Sequence, residues 1–211
     1  MHKSLIPAAA SFAALLACCL AWPSFADESP AVCKNFNIDL AASQPLHAGA
    51  ATANCKTGRS MGYPVPDAKC TPGAVNPSVN VVTLRDPKFK SECVHGEPKS
   101  AEDKARLYGA YGLAEPEKNM GPTRSCELNR LIPLEIGGAN SADNIWPLCG
   151  PPDVMQSARY FNDKDKVDRY LAMMVKMNRM ELDAAQKGVV ADWTQYLEAA
   201  RKACLFIMCS K

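Results

Sequence analysis

A hydrophobic run opens the chain and follows a short basic start. Residues 1–26 end in Ser24-Phe25-Ala26, and small residues at such positions suit signal peptidase. We therefore expect residues 1–26 to be a cleaved signal peptide, with Asp27 as the first mature residue. Leu15-Leu16-Ala17-Cys18 offers a weaker alternative, a lipobox whose cleavage would leave Cys18 lipidated. Farther along the chain, no stretch is apolar and long enough to span a bilayer.

The next segments show little periodicity. Residues 27–65 are rich in Ala, Asn, Thr and Ser, which predicts an irregular N-terminal arm. In residues 66–95, Thr71-Pro72-Gly73 and Asn76-Pro77 are typical of turns. The valines and the leucine between Val79 and Leu84 predict a short strand.

Helical patterns follow. Ser100 and Asp103 form an S-x-x-D sequence that is typical of a helix start, and Gly112 suits a left-handed helix end. The chain is helical in pattern from Val154 to Met180, with a break expected near Asn162-Asp163. Apolar residues three or four positions apart then mark one face of a single final helix: Leu182, Ala185, Val189, Trp193, Leu197 and Ala200.

The cysteines predict disulfides. The chain has 211 residues and 10 cysteines, of which Cys18 and Cys19 lie in the predicted signal peptide. An even set in an exported chain indicates disulfides. The mature chain has no C-x-x-C sequence, and its histidines are His47 and His95, so a zinc site is not suggested. The remaining cysteines are Cys33, Cys55, Cys70, Cys93, Cys126, Cys149, Cys204 and Cys209.

The charge is nearly balanced. The formal net charge is +2, and removal of Lys3 with the signal peptide lowers it. Proteins that contact phosphates usually carry a basic face or a high domain pI. Basic and acidic residues are mixed along this chain, which weighs modestly against strong DNA binding without excluding a local basic patch.

Residues 126–148, CELNRLIPLEIGGANSADNIWPL, resemble the core of an HNH endonuclease, which reads approximately E-x-D-H-L-I-P-L-E-L-G-G-x-N-x-x-x-N-L-W-P. Asn129 stands where this family has Asp, and Arg130 stands where it has His. The resemblance covers about residues 66–200. The chain keeps Glu127, Leu131, Ile132, Pro133, Leu134, Glu135, Gly137, Gly138, Asn140, Asn144, Trp146 and Pro147.

This resemblance implies an α+β fold, with a ββα HNH-like core, surrounding helices and disulfides. The HNH-like domain would span residues 66–203, followed by a Cys-containing tail at 204–211. Gly137-Gly138 would give the hairpin loop its backbone freedom, and Asn144-Ile145-Trp146 would form the second strand.

Several disulfide roles are expected from this arrangement. Cys126 and Cys149 would cross-link the open end of the hairpin, which contributes about 3 kcal/mol in the chain-entropy model. We expect this link to replace the organising role of a lost metal. Cys70 is expected to pair with Cys93. Two further expectations are that Cys33 and Cys55 tie down the arm and that Cys204 and Cys209 attach the tail.

The family's chemistry requires groups that this chain lacks. HNH nucleases use a divalent metal, an Asp ligand and a His general base. Arg130 stays protonated and has no acceptor, and Asn129 supplies no negative charge. A general base is worth roughly 10²–10⁴-fold in rate. In the following helix, Asn162, Asp163 and Asp165 are candidates for a remaining ligand, but no metal ligand is assigned.

The resulting interpretation is an exported protein, periplasmic or secreted, with a degenerate nuclease site that acts by binding. Arg130 and Asn144 are the candidate binding residues, and nucleic acid or protein the candidate partners. Arg130 would bind a phosphate or carboxylate, or pair with Glu127 or Glu135. Asn144 would hold the hairpin loop by its side chain. No cofactor is expected.

Two alternatives remain. One is an active endonuclease with a relocated general base, which would need a divalent metal. The other is a structural, disulfide-rich exported protein. The sequence makes no prediction of the oligomeric state.

Overall fold

The computed structural model describes residues 31–47, 53–90, 92–96, 99–150 and 160–205. The predicted signal peptide and Cys209 lie outside these ranges. The fold is α+β, with helices and small antiparallel sheets. None of the described helices combines the length and the apolar character that crossing a membrane requires.

Three two-stranded antiparallel sheets are present among the described residues. Two of them involve the N-terminal arm, which also contains a 3₁₀ turn at Ala31–Phe36. The pairs are β1 (Gln44–Pro45) with β4 (Ala74–Val75), β2 (Gly58–Ser60) with β3 (Tyr63–Val65), and β5 (Cys126–Arg130) with β6 (Ile145–Cys149). The arm predicted to be irregular therefore contains short regular elements.

Six helices accompany these sheets in the described ranges. Their bounds are α1 (Val81–Arg85), α2 (Glu92–His95), α3 (Ala101–Ala110), α4 (Tyr160–Lys176), α5 (Leu182–Asp192) and α6 (Leu197–Leu205). Helix α4 packs against both strands of the β5–β6 hairpin and against α6.

The predicted strand between Val79 and Leu84 is wrong, because this segment forms α1. Asn80 caps the helix: its side-chain oxygen accepts hydrogen bonds from the backbone N–H groups of Val82 at 2.9 Å and Thr83 at 3.1 Å. Leu84 is buried. The capping side chain and the packing of Leu84 outweigh the strand preference of the valines.

The predicted start of α3 is confirmed. The Ser100 hydroxyl accepts a hydrogen bond from the backbone N–H of Asp103 at 3.0 Å. Gly112, just past the helix, has a φ of +66°, which suits the left-handed end that the sequence indicates.

The C-terminal helices differ in two ways from the prediction. Helix α4 runs through Asn162-Asp163 without the expected break. The predicted single final helix is divided into α5 and α6 by a 3₁₀ turn at Trp193–Tyr196. Asp192 has extended backbone, and its side chain accepts from the Thr194 N–H at 2.9 Å, so this local cap competes with the helix. The predicted apolar face is nevertheless buried at Ala185, Val189, Trp193, Leu197 and Ala200.

The hydrophobic core lies between the hairpin, α4 and the C-terminal helices. Trp146 on β6 and Trp193 are both fully buried, and Phe161 and Leu171 contribute from α4. Because large aromatic side chains from three parts of the chain meet there, the hairpin is fixed to the helices by burial of apolar surface.

The predicted disulfide between Cys70 and Cys93 is wrong, because each of these cysteines pairs with a different partner. Cys70 pairs with Cys55, and Cys93 pairs with Cys33. The turn that carries Cys70 is held beside Cys55, because Asp67 accepts from the backbone N–H of Lys56 at 2.9 Å. Cys93 lies on α2, where the arm reaches it through Cys33.

The remaining cysteines follow the expectation more closely. Cys126 and Cys149 lie opposite each other in the β5–β6 ladder and form a disulfide, as the hairpin geometry predicts. Cys204 is also disulfide-bonded. Most of the predicted 204–211 tail, residues 206–211, lies outside the described ranges.

Candidate functional site at the β5–β6 hairpin

Asn144 holds the hairpin loop in place. Its side-chain oxygen accepts from the Ile132 backbone N–H at 2.8 Å. Its side-chain nitrogen donates to the carbonyl oxygens of Ile132 and Ala139, both at 2.9 Å. Asn144 has no exposed surface. The structure therefore supports the interpretation of Asn144 as a residue that organises the loop, with its amide groups directed at the protein backbone.

The two loop glycines are required for different reasons. Gly137 has a φ of +77°, a left-handed conformation that side chains other than glycine's rarely adopt. At Gly138, an added Cβ would lie 2.0 Å from the Ile132 carbonyl oxygen. The loop consequently returns close against its own beginning, and this close approach allows the Asn144 side chain to bridge it.

Asn129, at the family's Asp position, is buried on β5. Its exposed fraction is 4%, and its side-chain nitrogen donates to Glu127 Oε1 at 3.2 Å. The Asn129 Oδ1 atom is buried and has no hydrogen-bond partner. Residues two apart on a strand share a face, so Glu127 and Asn129 point the same way.

Glu127 is a partly buried carboxylate, 21% exposed, and its cationic partner is Arg124. Burial raises the pKa of the Glu127 carboxyl, and the negative charge of Asp165 on α4 raises it further. The positive charge of Arg124 and the hydrogen bond from Asn129 act in the opposite direction. Glu127 thus holds a proton more readily than an ordinary glutamate does.

Arg130, at the family's His position, lies at the loop end of β5. One terminal nitrogen, Nη2, donates to Asn140 Oδ1 at 2.8 Å. Its Nε atom is buried and has no hydrogen-bond partner. Burial lowers the pKa of the Arg130 guanidinium, whereas the negative charges of Glu135, Glu127 and Asp168 raise it.

The alternative of a direct ion pair between Arg130 and Glu127 or Glu135 is not seen. Within the described ranges, the ion pairs with N···O distances up to 4.0 Å do not include Arg130. Glu127 contacts Arg124 instead. The Arg130 side chain is therefore positioned by a neutral amide, with its carboxylate neighbours at longer range.

A second cation converges on the same asparagine. Lys99, just before α3, donates from Nζ to the Asn140 carbonyl oxygen at 2.9 Å. Burial and the nearby charge of Arg130 lower the pKa of the Lys99 ammonium. Asn140 is itself held to α2, since its side-chain nitrogen donates to the His95 carbonyl oxygen at 3.3 Å.

A buried lysine connects α4 to the same strand. The Lys164 side chain is fully buried, donates to the Arg130 carbonyl oxygen at 3.1 Å and pairs with Asp168. Burial raises the pKa of Asp168 to about 7, against the lowering effect of the Lys164 charge, although 16% of the Asp168 side chain is exposed. Lys164 thus brings its ammonium to the Arg130 carbonyl at the loop end of β5, with the Asp168 carboxyl beside it.

On α4, the positions that were candidates for metal ligands include Asp163, which makes hydrogen bonds to other protein side chains. Asp163 accepts hydrogen bonds from Tyr63 at 2.7 Å, Arg201 at 2.7 Å and Lys166 at 2.8 Å, in a network that joins β3, α4 and α6. Asp165 lies near enough to Glu127 to raise its pKa. Within the ranges that the structure describes, no group of three or more His, Cys, Asp or Glu side chains is arranged to hold a metal ion.

An open cleft of about 450 Å³ borders the other end of β5. Lys104 and Tyr108 of α3 line it, together with Glu115, Arg124 and Glu127. Desolvation and the charges of Glu115 and Glu127 raise the pKa of Tyr108 to about 12. Because the cleft mixes both signs of charge, its lining favours no single ligand chemistry.

Several of these residues escaped the sequence interpretation. The sequence indicates Asn140 only as one of the residues that resemble the HNH pattern, and no sequence pattern singles out Lys99. Lys164 had an available signal, because it falls at helical spacing between the apolar Phe161 and Val167 and so lies on the buried face of α4. Nothing in the sequence links Lys99 to Arg130, since their proximity depends on the fold.

Comparison with family models, with curated proteins and with solved structures finds no match for this chain.

Proposed function

We propose that this protein is an exported, HNH nuclease-like protein whose hairpin has lost the ability to hydrolyse phosphodiesters and now acts by binding. The support for an HNH-like core is the order of its parts: an antiparallel hairpin, a loop closed by Asn144, and a helix packed against both strands. The disulfides suit an oxidising compartment outside the cytoplasm.

The observation that carries the proposal is the placement of Arg130. In the HNH-like alignment it replaces the general base, and its guanidinium has five donors and no acceptor. A guanidinium remains protonated at any usable pH and cannot take a proton from water. Loss of general-base assistance alone lowers a rate by roughly 10²–10⁴-fold.

The residues around Arg130 do not fit a catalytic divalent metal. Asn129 offers one neutral oxygen in place of a carboxylate, whereas hard cations are usually held by charged oxygens. Glu127 is engaged by Arg124, and Asp168 by Lys164. The buried Lys164 ammonium and the Arg130 guanidinium both oppose a dication, so no hydrolytic step is assigned to a metal.

The test is cleavage of supercoiled plasmid by the oxidised mature protein with Mg²⁺, Mn²⁺, Ni²⁺ or Zn²⁺. We expect no cleavage above a buffer control. Robust cleavage that a chelator abolishes would contradict the proposal.

A second candidate function is an active endonuclease with a relocated base, and the state of Glu127 favours it. A partly buried carboxyl whose pKa is raised above its ordinary value holds and releases a proton closer to neutral pH than an ordinary glutamate does, as a general base requires. If cleavage were observed, loss of activity in Glu127→Gln, with folding intact, would identify this base. If the protein bound neither nucleic acid nor phosphate at low salt, the alternative of a purely structural exported protein would be supported.

A further inference from the structure

We propose that Lys99 and Arg130, brought together by Asn140, form a binding site for the tetrahedral oxyanion of a phosphate group. This inference deepens the proposed binding function and rests on it. The phosphate group would come from free phosphate or from a nucleic-acid backbone, and the experiment below separates these two sources.

The geometry brings two positive charges to one residue. Lys99 donates to the Asn140 backbone oxygen and Arg130 to the Asn140 side-chain oxygen, at 2.9 and 2.8 Å. Two cations held this close repel each other, which costs free energy unless an anion joins them. A shared neutral acceptor orients both groups without cancelling either charge.

Both cations keep hydrogen-bond donors for a ligand. An ammonium has three donors and a guanidinium has five. Lys99 makes one hydrogen bond among the described residues, and so does the Arg130 side chain. The Arg130 Nε atom is buried and without a partner. A buried charged donor without an acceptor is costly, so an oxyanion at this position would relieve that cost.

The surrounding carboxylates are mostly engaged with cations of their own. Glu127 pairs with Arg124, and Asp168 with Lys164. Asp103 pairs with Arg106 at 3.1 Å. The Glu135 carboxylate also acts on Arg130, as its effect on the arginine's pKa indicates, without a direct ion pair. Glu135 is therefore the group that opposes anion binding.

Donor number and geometry favour phosphate over a carboxylate. Two cations with several remaining donors match a tetrahedral phosphate group, whose oxygens point in different directions, better than a planar carboxylate, which has two oxygens. Arginine is well suited to phosphate because its planar fork donates two parallel hydrogen bonds, and lysine contributes as a point charge.

The experiment is isothermal titration calorimetry of the oxidised, mature full chain with inorganic phosphate at low ionic strength. We expect saturable binding that Lys99→Gln and Arg130→Gln each weaken about tenfold or more, the effect of losing a charge-assisted hydrogen bond. The matched control is Lys187→Gln, which removes the same charge from an α5 side chain that is 68% exposed. It should leave binding unchanged.

The Glu135→Gln variant should change phosphate affinity in the opposite direction. Removing this carboxylate takes away a repulsion between the site and the anion, so phosphate should bind more tightly than to the unmodified chain. Circular dichroism checks that each variant is folded. If Arg130→Gln fails to fold, Lys99→Gln, at a half-buried position, and Glu135→Gln still test the site.

Two arms identify the source of the phosphate. Tighter binding of a short DNA duplex, weakened by the same two variants and displaced by inorganic phosphate, would assign a nucleic-acid backbone. Binding of inorganic phosphate with no duplex binding would assign free phosphate. The inference is overturned if phosphate does not bind, if both variants bind it as well as the unmodified chain, or if acetate binds equally well. Plasmid cleavage, measured separately, decides the proposed loss of catalysis.

Discussion

Arg130 differs from histidine in the one property that a general base requires. Imidazole exchanges a proton near neutral pH, whereas a guanidinium stays charged and can only donate. In this structure that permanent donor lies on the hairpin with a buried Nε atom and with Asn140 as its partner. In the proposed function, this one side chain would change a position suited to activating water into one suited to holding an anion.

The double replacement Asn129→Asp with Arg130→His tests this view at the same positions. It adds a carboxylate and a neutral imidazole and removes a fixed positive charge, so we expect it to bind Mn²⁺ or Ni²⁺ in calorimetry. Asn129→Asp alone is the control, since Arg130 would still oppose the dication and binding should be weaker. Absence of metal uptake by the double variant would count against the HNH-like assignment of these two residues.

Asn144 is a residue whose contribution should appear in stability. Asn144→Ala removes three hydrogen bonds and leaves the Ile132 N–H and two carbonyl groups unpaired in a buried loop. We expect the free energy of unfolding to fall by about 3 kcal/mol or more, measured in urea.

The control for that measurement is Asn35→Ala, at an exposed position in the N-terminal 3₁₀ turn. Its effect should stay within about 0.5 kcal/mol. An Asn144→Ala effect of the same size would mean that the side chain does not organise the loop.

At the scale of elements, the hairpin is held at both ends by different means. Asn144 closes the loop end, the Cys126–Cys149 disulfide closes the open end, and Lys164 joins strand β5 to α4. These attachments fix β5 relative to β6 and to α4. The hairpin conformation therefore does not depend on the side chains of Asn129 and Arg130 alone.

Removal of the hairpin disulfide should lower stability and also affect binding. In the Cys126→Ser/Cys149→Ser variant we expect unfolding free energy to fall by about 3 kcal/mol, from the loop that the link closes. Phosphate binding should weaken as well, because Arg130 lies on the strand that the link positions.

The matched comparison is Cys55→Ser/Cys70→Ser, which opens a loop of similar size, with a sequence separation of 15 against 23. It should lower stability by a comparable amount and leave phosphate binding intact in the folded protein. Equal losses of binding in both variants would show that the effect reflects general destabilisation.

The Lys164–Asp168 pair within α4 should make stability depend on pH. The folded-state pKa of Asp168, about 7, lies above its usual value of 3.8, so the folded protein binds this proton more tightly than the unfolded chain does. That contribution is complete at low pH and is lost as pH rises toward 7. Glu127, whose pKa is also raised, acts in the same direction.

We therefore expect the free energy of unfolding to decrease between pH 5 and pH 8, measured in urea. Asp168→Asn, which cannot ionise, should show a smaller decrease over this range. An unmodified protein that became more stable over the same range, or a variant with an undiminished decrease, would contradict the raised pKa of Asp168.

At the scale of the whole molecule, local sequence signals predicted local structure well and long-range pairings poorly. Ser100 and Asp103 identified the start of α3, and the apolar spacing from Ala185 to Ala200 identified a buried face even though Asp192 interrupts the helix. The valines near Val82 misled, because a strand preference does not reveal that Asn80 caps a helix there.

The disulfides show why the remainder was not predictable. The Cys126–Cys149 pair follows from a hairpin, in which opposite residues are fixed by register. The Cys33–Cys93 pair spans 60 residues and depends on how the arm packs against α2. In the same way, the approach of Lys99 to Arg130 requires the position of Asn140 in the folded chain, which no local pattern contains.

We propose that this protein retains a hairpin resembling that of a nuclease while hydrolysis is lost. The most direct test is plasmid cleavage by the oxidised mature protein in Mn²⁺, assayed with and without chelator. We expect no difference between the two conditions and no cleavage above the buffer control. Cleavage that depends on the metal and disappears with chelator would contradict it.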